Sequence, residues 1–265
     1  MRFVSIASGS SGNCIYAGTE NTHILIDAGI SARRMEQGLA DIGVKGSELD
    51  GIVITHEHSD HVKGLGVLAR KFGIPIYSTE GTLEEIRGMK CLGEYPEELL
   101  TPVRPDVDFA IGDMVLEPFR IDHDAADPVG YRIRGGRRSV AVATDMGHFD
   151  QYIIDHLQGL DAILLESNHD VRMLETGPYP YYLKRRILGD HGHLSNDSAG
   201  QLLNCILHDQ LKYILLGHLS KENNYEELAY ETVRLEIDQG DHGYRASDFS
   251  ISVAGRETMS QIINL

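Results

Sequence analysis

Runs of apolar residues along the chain predict strands in two batches, each mixed with helices. Between the strands of the first batch, Ser31 occupies the position of a helix N-cap, and Met35, Leu39 and Ile42 follow at helical spacing. A second helix is predicted over Val62–Phe72. The predicted strands of this batch are Arg2–Ala7, Cys14–Ala17, His23–Asp27, Gly51–Thr55 and Ile74–Tyr77.

The second batch begins in the middle of the chain, where Gly135-Gly136 predicts a hairpin turn. Its predicted strands are Met114–Ile121, Gly130–Arg134, Ser139–Ala143, Ala162–Glu166, Tyr213–Leu216 and Ser250–Val253. Its predicted helices are Tyr181–Ile187, Asp197–Leu207 and Glu226–Asp238. Strands in two mixed batches favour two sheets packed together with helices outside them, rather than one parallel sheet.

Composition limits the class of protein. The chain has 265 residues, which fits one large domain or two small ones, and 42% of them are hydrophobic, which is enough to bury a sizeable core. No signal peptide is expected, because the first residues show a strand-like pattern without an apolar signal-peptide core or a cleavage site, and no apolar run is long enough to span a membrane. Cys14, Cys91 and Cys205 form no Cys-x-x-Cys pair and are typical of free thiols, so a cytoplasmic location is expected.

The net charge of -16 argues against broad affinity for nucleic acid, which normally requires a basic surface. An acidic surface is in itself only a sign of solubility. Any role in binding nucleic acid must therefore depend on a local basic patch and on bound metal.

Candidate chemistry is concentrated directly after the buried strand Gly51–Thr55. His56, His58, Asp60 and His61 follow at spacings that allow their side chains to converge. Imidazole and carboxylate groups together suit zinc, manganese or iron. Four such donors exceed the three protein ligands typical of one open catalytic ion, so the cluster is better explained by two neighbouring ions.

Two ions require further ligands. His123, Asp145 and His218 each stand just beyond a predicted strand, namely Met114–Ile121, Ser139–Ala143 and Tyr213–Leu216. Taken singly, each of the three could equally be a cap or a turn residue. Their shared placement with the first cluster favours a common metal site.

These residues resemble the motifs of the metallo-β-lactamase superfamily over nearly the whole chain, with Asp27 in the place of the first motif and His-x-His-x-Asp-His in the second. Several phrases resemble the YycJ (VicX/WalJ) family more closely. They are Ala7-Ser8-Gly9-Ser10-Ser11-Gly12-Asn13, Asp127-Pro128-Val129-Gly130-Tyr131, Glu166-Ser167-Asn168, Gly192-His193-Leu194-Ser195-Asn196 and Gly217-His218-Leu219-Ser220. The resemblance implies an α+β fold, the αββα four-layer sandwich of the ribonuclease Z type, as a single domain over residues 1–265.

The resemblance also implies a role for each matched residue. One ion would be held by His56, His58 and His123, the other by Asp60, His61 and His218, with Asp145 bridging the two. Asp27 would accept a hydrogen bond from a ligating histidine. Asp60 and His193 are expected to take part in catalysis, with His193 giving a proton to the leaving group; the alternative for His193 is packing at a helix entry.

Contacts with substrate are predicted more loosely. Lys184, Arg185 and Arg186 form the strongest basic run beside a catalytic element and could guide a nucleic-acid backbone, although a solvated helix face would look the same. Asn13 lies in a Gly/Ser loop that could offer N–H groups to a phosphate, and Ser195 and Ser220 lie in the family phrases.

The two-ion site favours a phosphodiesterase or nuclease that uses a metal-bridging hydroxide, and the family resemblance implies a 5′-to-3′ exonuclease acting on DNA ends. The alternative is a small-molecule hydrolase of the same fold, such as a cyclic phosphodiesterase, a lactonase or a thioesterase. A metal-binding regulator without catalysis is a third hypothesis, in which His193 would have no task. The expected cofactors are two divalent ions, Zn or Mn with Fe possible, and the oligomeric state, monomer or homodimer, is left open.

Overall fold

The computed structural model describes all residues from 1 to 265, which group into two compact units. The first unit consists of Met1–Arg120, Ala125–Arg138 and Gly255–Leu265, and the second of Ile121–Asp124 and Ser139–Ala254. The single domain expected over residues 1–265 stays a prediction.

Fourteen strands form two seven-stranded sheets, in the orders β14-β1-β2-β3-β4-β5-β6 and β13-β12-β11-β10-β9-β8-β7. The strands are β1 (Arg2–Ala7), β2 (Cys14–Gly18), β3 (His23–Ile26), β4 (Gly51–Val53), β5 (Ile76–Thr79), β6 (Leu100–Val103), β7 (Phe109–Ile111), β8 (Met114–Arg120), β9 (Val129–Gly135), β10 (Arg138–Ala143), β11 (Ala162–Glu166), β12 (Tyr213–Gly217), β13 (Ser250–Val253) and β14 (Ile263–Asn264). The helices are α1 (Ala32–Asp41), α2 (Ser59–Val62), α3 (Leu65–Phe72), α4 (Glu80–Gly88), α5 (Gln151–Leu157), α6 (Val171–Thr176), α7 (Tyr181–Leu188), α8 (Asn196–Ile206) and α9 (Glu226–Gln239).

In the first unit, β1, β2 and β3 pair antiparallel, whereas β3 to β6 run parallel. Apolar side chains of these strands and of α1 and α3 form one buried core. Helix α1 begins where predicted, because the Ser31 side chain accepts a hydrogen bond from the Arg34 N–H and satisfies a free donor of the first turn. Met35 and Leu39 are the face that α1 buries.

The second unit is built on the parallel strands β10 to β13, which are registered by pairs such as Ala143 with Leu165 and Glu166 with Gly217. Strands β10 and β11 are buried almost throughout, as the continuous apolar runs predicted. The carboxyl ends of parallel strands lie at one edge of their sheet, so the residues that follow β10, β11 and β12 are brought together there.

Some predicted elements have different limits. The helix predicted over Val62–Phe72 is divided into α2 and α3 around Gly64, whose backbone approaches Ile30 so closely that a Cβ would lie 2.1 Å from its carbonyl oxygen. Strand β4 ends at Val53, two residues before the predicted end. The sequence patterns did not predict strands β6, β7 and β14, which have at most four residues, or helices α4, α5 and α6, which have six to nine.

Candidate metal centre

Three of the predicted site residues have strained backbone at the end of a strand. Asp27, Asp145 and His218 have φ values of 62°, 62° and 55°, in the left-handed region that residues other than glycine seldom adopt. Asp27 directly follows β3, His218 directly follows β12, and Asp145 lies two residues beyond β10. Such strain persists only where the surrounding structure enforces it, and it is concentrated at functional sites.

The first unit brings four predicted ligands together. The His56 ring centroid lies 4.6 Å from that of His58 and 4.0 Å from that of His61. Asp60 extends the group, with its Oδ2 atom 3.5 Å from His61 Nε2. His56 and His61 are fully buried, whereas His58 and Asp60 are partly exposed.

Asp27 makes the contact that was expected of it. Its Oδ2 atom accepts a hydrogen bond from His61 Nδ1 at 2.8 Å, so Nε2 is the ring nitrogen that carries the lone pair. Its Oδ1 atom accepts the Thr55 N–H at 2.9 Å. The Thr55 hydroxyl also contacts both carboxylate oxygens of Asp27, so Thr55, to which the sequence assigned no role, helps to hold the carboxylate in place.

Asn13, predicted to contact substrate, is buried within the first unit. Its Oδ1 atom accepts the Gly9 N–H at 2.9 Å, and its Nδ2 atom donates to the Gly9 carbonyl. Nδ2 also lies 3.1 Å from His61 Nε2. The side chain therefore closes the Gly/Ser loop and contacts a predicted ligand, and its contact with substrate stays a prediction.

In the second unit, Asp145, Glu166, His193 and His218 form a compact group. One ligand atom of each lies within 4.8 Å of those of the others. The pairing of Glu166 with Gly217 explains the arrangement, because it sets the last residue of β11 beside the residue that precedes His218. His123 adjoins the group, with its Nε2 atom 3.8 Å from Asp145 Oδ1.

Glu166 was not among the predicted site residues, but it is central to this group. Its Oε1 atom accepts hydrogen bonds from Nδ1 of His193 at 2.8 Å and of His218 at 2.9 Å. Its Oε2 atom accepts the backbone N–H groups of Met146 and Leu194. A signal was present, because Glu166 is a charged residue that ends an otherwise apolar predicted strand.

Burial by itself would raise the pKa of Glu166, but the charges and hydrogen bonds of His193 and His218 outweigh burial and hold that pKa well below its ordinary range. Burial by itself would lower the pKa of His193. The charge and hydrogen bond of Glu166, together with the charge of Asp145, outweigh burial and leave that pKa raised. Glu166 is therefore ionised at neutral pH, and protonated His193 is stabilised by it.

The three basic residues predicted to contact nucleic acid, all on α7, differ in their contacts. The Lys184 ammonium donates to the carbonyls of Glu175 and Gly177, and Arg186 forms an ion pair with Asp124. Arg185 is exposed and makes no ion pair. These contacts leave Arg185 as the member of the run that is available to another molecule.

The two serines predicted to contact substrate have local partners. The Ser195 hydroxyl caps α8 by accepting the Ser198 N–H at 3.1 Å. Ser220 is buried, and its hydroxyl accepts the Asn223 N–H at 3.2 Å. A contact with substrate stays a prediction for both residues.

The donor chemistry fits divalent metal. Each unit offers imidazole nitrogens close to at least one carboxylate, and this mixture suits zinc, manganese or iron. The Nδ1 atoms of His61 and His218 are each bonded to a carboxylate, an arrangement that fixes the tautomer of ligating histidines.

Comparisons with known proteins agree with this chemistry. A family model described as a beta-lactamase superfamily domain matches residues 22–214. The chain is 38% identical over 264 residues to the exodeoxyribonuclease WalJ of Streptococcus pneumoniae serotype 2 (strain D39 / NCTC 7466), a match that covers 100% of this chain and 98% of that protein. It is also 38% identical over 243 residues to the exodeoxyribonuclease YycJ of Bacillus anthracis, covering 92% and 91%.

Known structures share the fold. The metallo-beta-lactamase fold protein YhfI of Bacillus subtilis superposes with a TM-score of 0.71 at 16% identity, covering 98% of both chains. Human tRNase Z, short form, superposes with a TM-score of 0.67 at 15% identity, covering 100% of both. These likenesses confirm the predicted α+β fold of the metallo-β-lactamase and ribonuclease Z type. None of the helices has both the length and the apolar composition needed to cross a membrane.

Proposed function

Because the chain belongs to the metallo-β-lactamase superfamily and, within it, to the family of the exodeoxyribonucleases WalJ and YycJ, we propose that it is a metal-dependent exodeoxyribonuclease. Identity at this level over the whole length supports a shared reaction. The observation in the structure that carries the proposal is the Glu166 carboxylate, which binds both His193 and His218. The carboxylate thereby joins His218, a predicted metal ligand, to His193, the predicted proton donor.

The proposed ligands are the seven residues of the family pattern. His56, His58 and His123 would hold one ion, and Asp60, His61 and His218 the other, with Asp145 bridging. The clusters found in each unit support these assignments separately. We propose zinc or manganese as the metal, with iron acceptable to the same donors.

When bound, such ions would acidify the attacking water and neutralise the charge that builds up on the phosphoryl oxygens. The residues of this chain have separate tasks. Asp27 and Glu166 fix the ring orientation of His61 and His218 through their Nδ1 atoms. Asp60 would contribute to catalysis from the partly exposed side of the first cluster, as the family pattern implies.

His193 is the proposed proton donor to the departing alkoxide. Its Nδ1 atom is bonded to Glu166, so its Nε2 atom is left for a reacting group, and the side chain is partly exposed. The carboxylate stabilises the imidazolium that must be present before the proton is given up. A histidine that only packed at a helix entry would not need this ionised partner.

The finer assignments rest on the family resemblance. We propose 5′-to-3′ cleavage from DNA ends and a cytoplasmic location, which the three free cysteines support. Monomer and homodimer are both compatible with the proposal. The net charge of -16 favours small substrates, so cleavage of a cyclic phosphate is the competing function.

A substrate panel tests the proposal. Purified protein loaded with manganese or with zinc is offered 5′-phosphorylated single-stranded and duplex DNA and a simple cyclic phosphate. We expect cleavage of the DNA, its loss in Asp145→Ala, and a decrease of roughly two to four orders of magnitude in His193→Ala while metal stays bound.

The matched control is Asp155→Ala, which removes a carboxylate from the exposed surface of α5 and should leave the rate unchanged. Metal content of every variant is measured at the same time. If the loaded protein leaves every DNA substrate intact and cleaves the cyclic phosphate, the exonuclease proposal fails.

A further inference from the structure

Helix α7 exposes two large aromatic side chains that the proposed reaction does not use. Tyr181 and Tyr182 are 74% and 75% exposed, more than any other large hydrophobic residue of the chain, and Leu188 on the same helix is 43% exposed. The helix buries none of its residues. Neighbouring exposed apolar groups of this size are one feature of surfaces that bind another molecule.

The charge around these rings differs from that of the whole chain. From Asp170 to Asp190 the chain has four basic residues and three acidic residues, a net charge of +1, whereas the entire molecule has -16. Arg172 and Arg185 are exposed in this segment and make no ion pair. A polyanion is therefore the partner whose charge fits.

Rings and charge share one face of the helix. Arg185 lies four residues after Tyr181 and three residues after Tyr182, and Leu188 follows at i+7 from Tyr181, so their side chains are neighbours on the helix surface. Lys184 and Arg186 are held by partners within the second unit. Two stacking surfaces beside one available guanidinium are a combination that binds bases and phosphates of single strands.

The helix is firmly attached to the proposed catalytic residue. The His193 N–H donates to the Ile187 carbonyl at 3.0 Å, in the last turn of α7. Gly192 lies so close that a Cβ there would meet the same carbonyl oxygen at 2.1 Å. Arg186 pairs with Asp124, the neighbour of the predicted ligand His123. These contacts join the C-terminal end of α7 to the segment that carries His193.

We propose that Tyr181, Tyr182 and Arg185 form a stacking platform that binds the single-stranded part of a DNA substrate. The inference rests on the proposed function and adds the element that grips the substrate. From Tyr181 to Ile187 the helix rises about 9 Å, which corresponds to about three stacked nucleotides at roughly 3.4 Å each. We therefore expect the platform to contribute to the binding of oligonucleotides and not to that of a dinucleotide.

The test compares the double variant Tyr181→Ala/Tyr182→Ala with the wild type on a single-stranded decanucleotide and on a dinucleotide. We expect the KM for the decanucleotide to rise about tenfold or more, while kcat and the kinetics on the dinucleotide stay unchanged. Tyr181→Phe/Tyr182→Phe keeps the rings and should restore the KM. Arg185→Ala should weaken binding and reduce its dependence on salt.

The controls are Leu235→Ala and Lys212→Ala. Leu235 is an exposed apolar residue of α9, and Lys212 is exposed just before β12, at the end of that strand opposite His218. Neither substitution should change the KM for the decanucleotide. Because the substituted tyrosines are exposed, the double variant should melt at the wild-type temperature.

Binding of a fluorescent decanucleotide, measured by anisotropy without turnover, separates the two proposals. If the wild type binds through the tyrosines but cleaves no DNA, the platform stands and the exonuclease proposal fails. If DNA is cleaved and the double variant has an unchanged KM and affinity, the platform is wrong and the exonuclease proposal stands. Sedimentation that shows a dimer becoming a monomer in the double variant, with DNA affinity unchanged, would make this face a subunit interface and overturn the platform.

Discussion

Glu166 is the residue on which the second-unit cluster depends most. Its carboxylate accepts four hydrogen bonds, two from histidine rings and two from backbone N–H groups. No other residue type of this length offers two oxygens that both accept. The buried charge is tolerated because each oxygen is satisfied.

Replacing Glu166 with Gln should reduce kcat by about 10- to 100-fold and weaken metal binding. The glutamine amide has one oxygen that accepts and one nitrogen that donates. In either orientation the amide N–H faces donors that the second carboxylate oxygen accepts in the wild type. Rates and bound metal are measured together, with the exposed Glu231→Gln on α9 as the control. Wild-type values of both quantities in Glu166→Gln would contradict this role.

His169 should make stability dependent on pH. It is 1% exposed, neither ring nitrogen has a hydrogen-bond partner, and burial lowers its pKa from 6.5 to about 4. Between these values the unfolded chain binds a proton that the folded chain does not, so stability is lost as pH falls from 6.5 toward 4. The expected loss from this residue between pH 7 and pH 5 is about 2 kcal/mol.

Urea unfolding of the wild type and of His169→Gln at both pH values measures this contribution. The variant should lose about 2 kcal/mol less than the wild type on acidification, because glutamine does not titrate in this range. Equal losses in the two proteins would show that His169 does not carry the effect.

At the scale of elements, the carboxyl edge of the parallel strands β10 to β12 positions the second-unit cluster, and the loop between α7 and α8 adds His193 to it. That loop is held at both ends, by the contact of Gly192 with the end of α7 and by the Ser195 cap of α8. The loop therefore needs glycine at 192 and a capping side chain at 195 for reasons of structure.

Ser195→Ala should cost about 1 kcal/mol of stability by removing the α8 cap. If capping is the whole role of Ser195, the KM for DNA stays at the wild-type value. Chemical denaturation and steady-state kinetics distinguish the roles, and Ser195→Asp, which keeps a capping oxygen, should recover the stability. A raised KM at unchanged stability would instead support the predicted contact with substrate.

At the scale of the whole molecule, the acidic surface and the proposed metal act together. Sixteen excess negative charges repel one another in the folded state, and ions bound among buried histidines and carboxylates offset part of this repulsion. The surface charge also confines any attraction for DNA to local patches such as α7.

Removal of metal by a chelator should abolish DNA cleavage and lower the melting temperature by about 5–10 °C. This shift corresponds to the roughly 2.7 kcal/mol supplied by a ligand present at a hundred times its Kd. Scanning calorimetry before and after dialysis measures it, and manganese or zinc should restore both properties. An unchanged melting temperature after treatment with the chelator would count against metal bound to the folded chain.

The sequence alone determined the fold class, most of the strands and the set of candidate ligands. Continuous apolar runs predict buried strands such as Ala162–Glu166 because the signal is local, and histidine spacing within six residues is also local. Short elements such as α5 and α6 were not predicted, because helices of seven and six residues have too few apolar positions to show a clear period.

Only the tertiary structure decided which side chains share partners. The position of Glu166 beside His218 depends on the register of β11 and β12, and register is set by contacts between residues far apart in the chain. The same holds for α7, where the sequence alone does not distinguish Lys184, Arg185 and Arg186. In the structure Lys184 and Arg186 have hydrogen-bond or ion-pair partners, whereas Arg185 and two tyrosines are exposed. Residue types and spacings determine which chemistry is possible. Which groups form hydrogen bonds with one another is decided only when distant segments of the chain pack together.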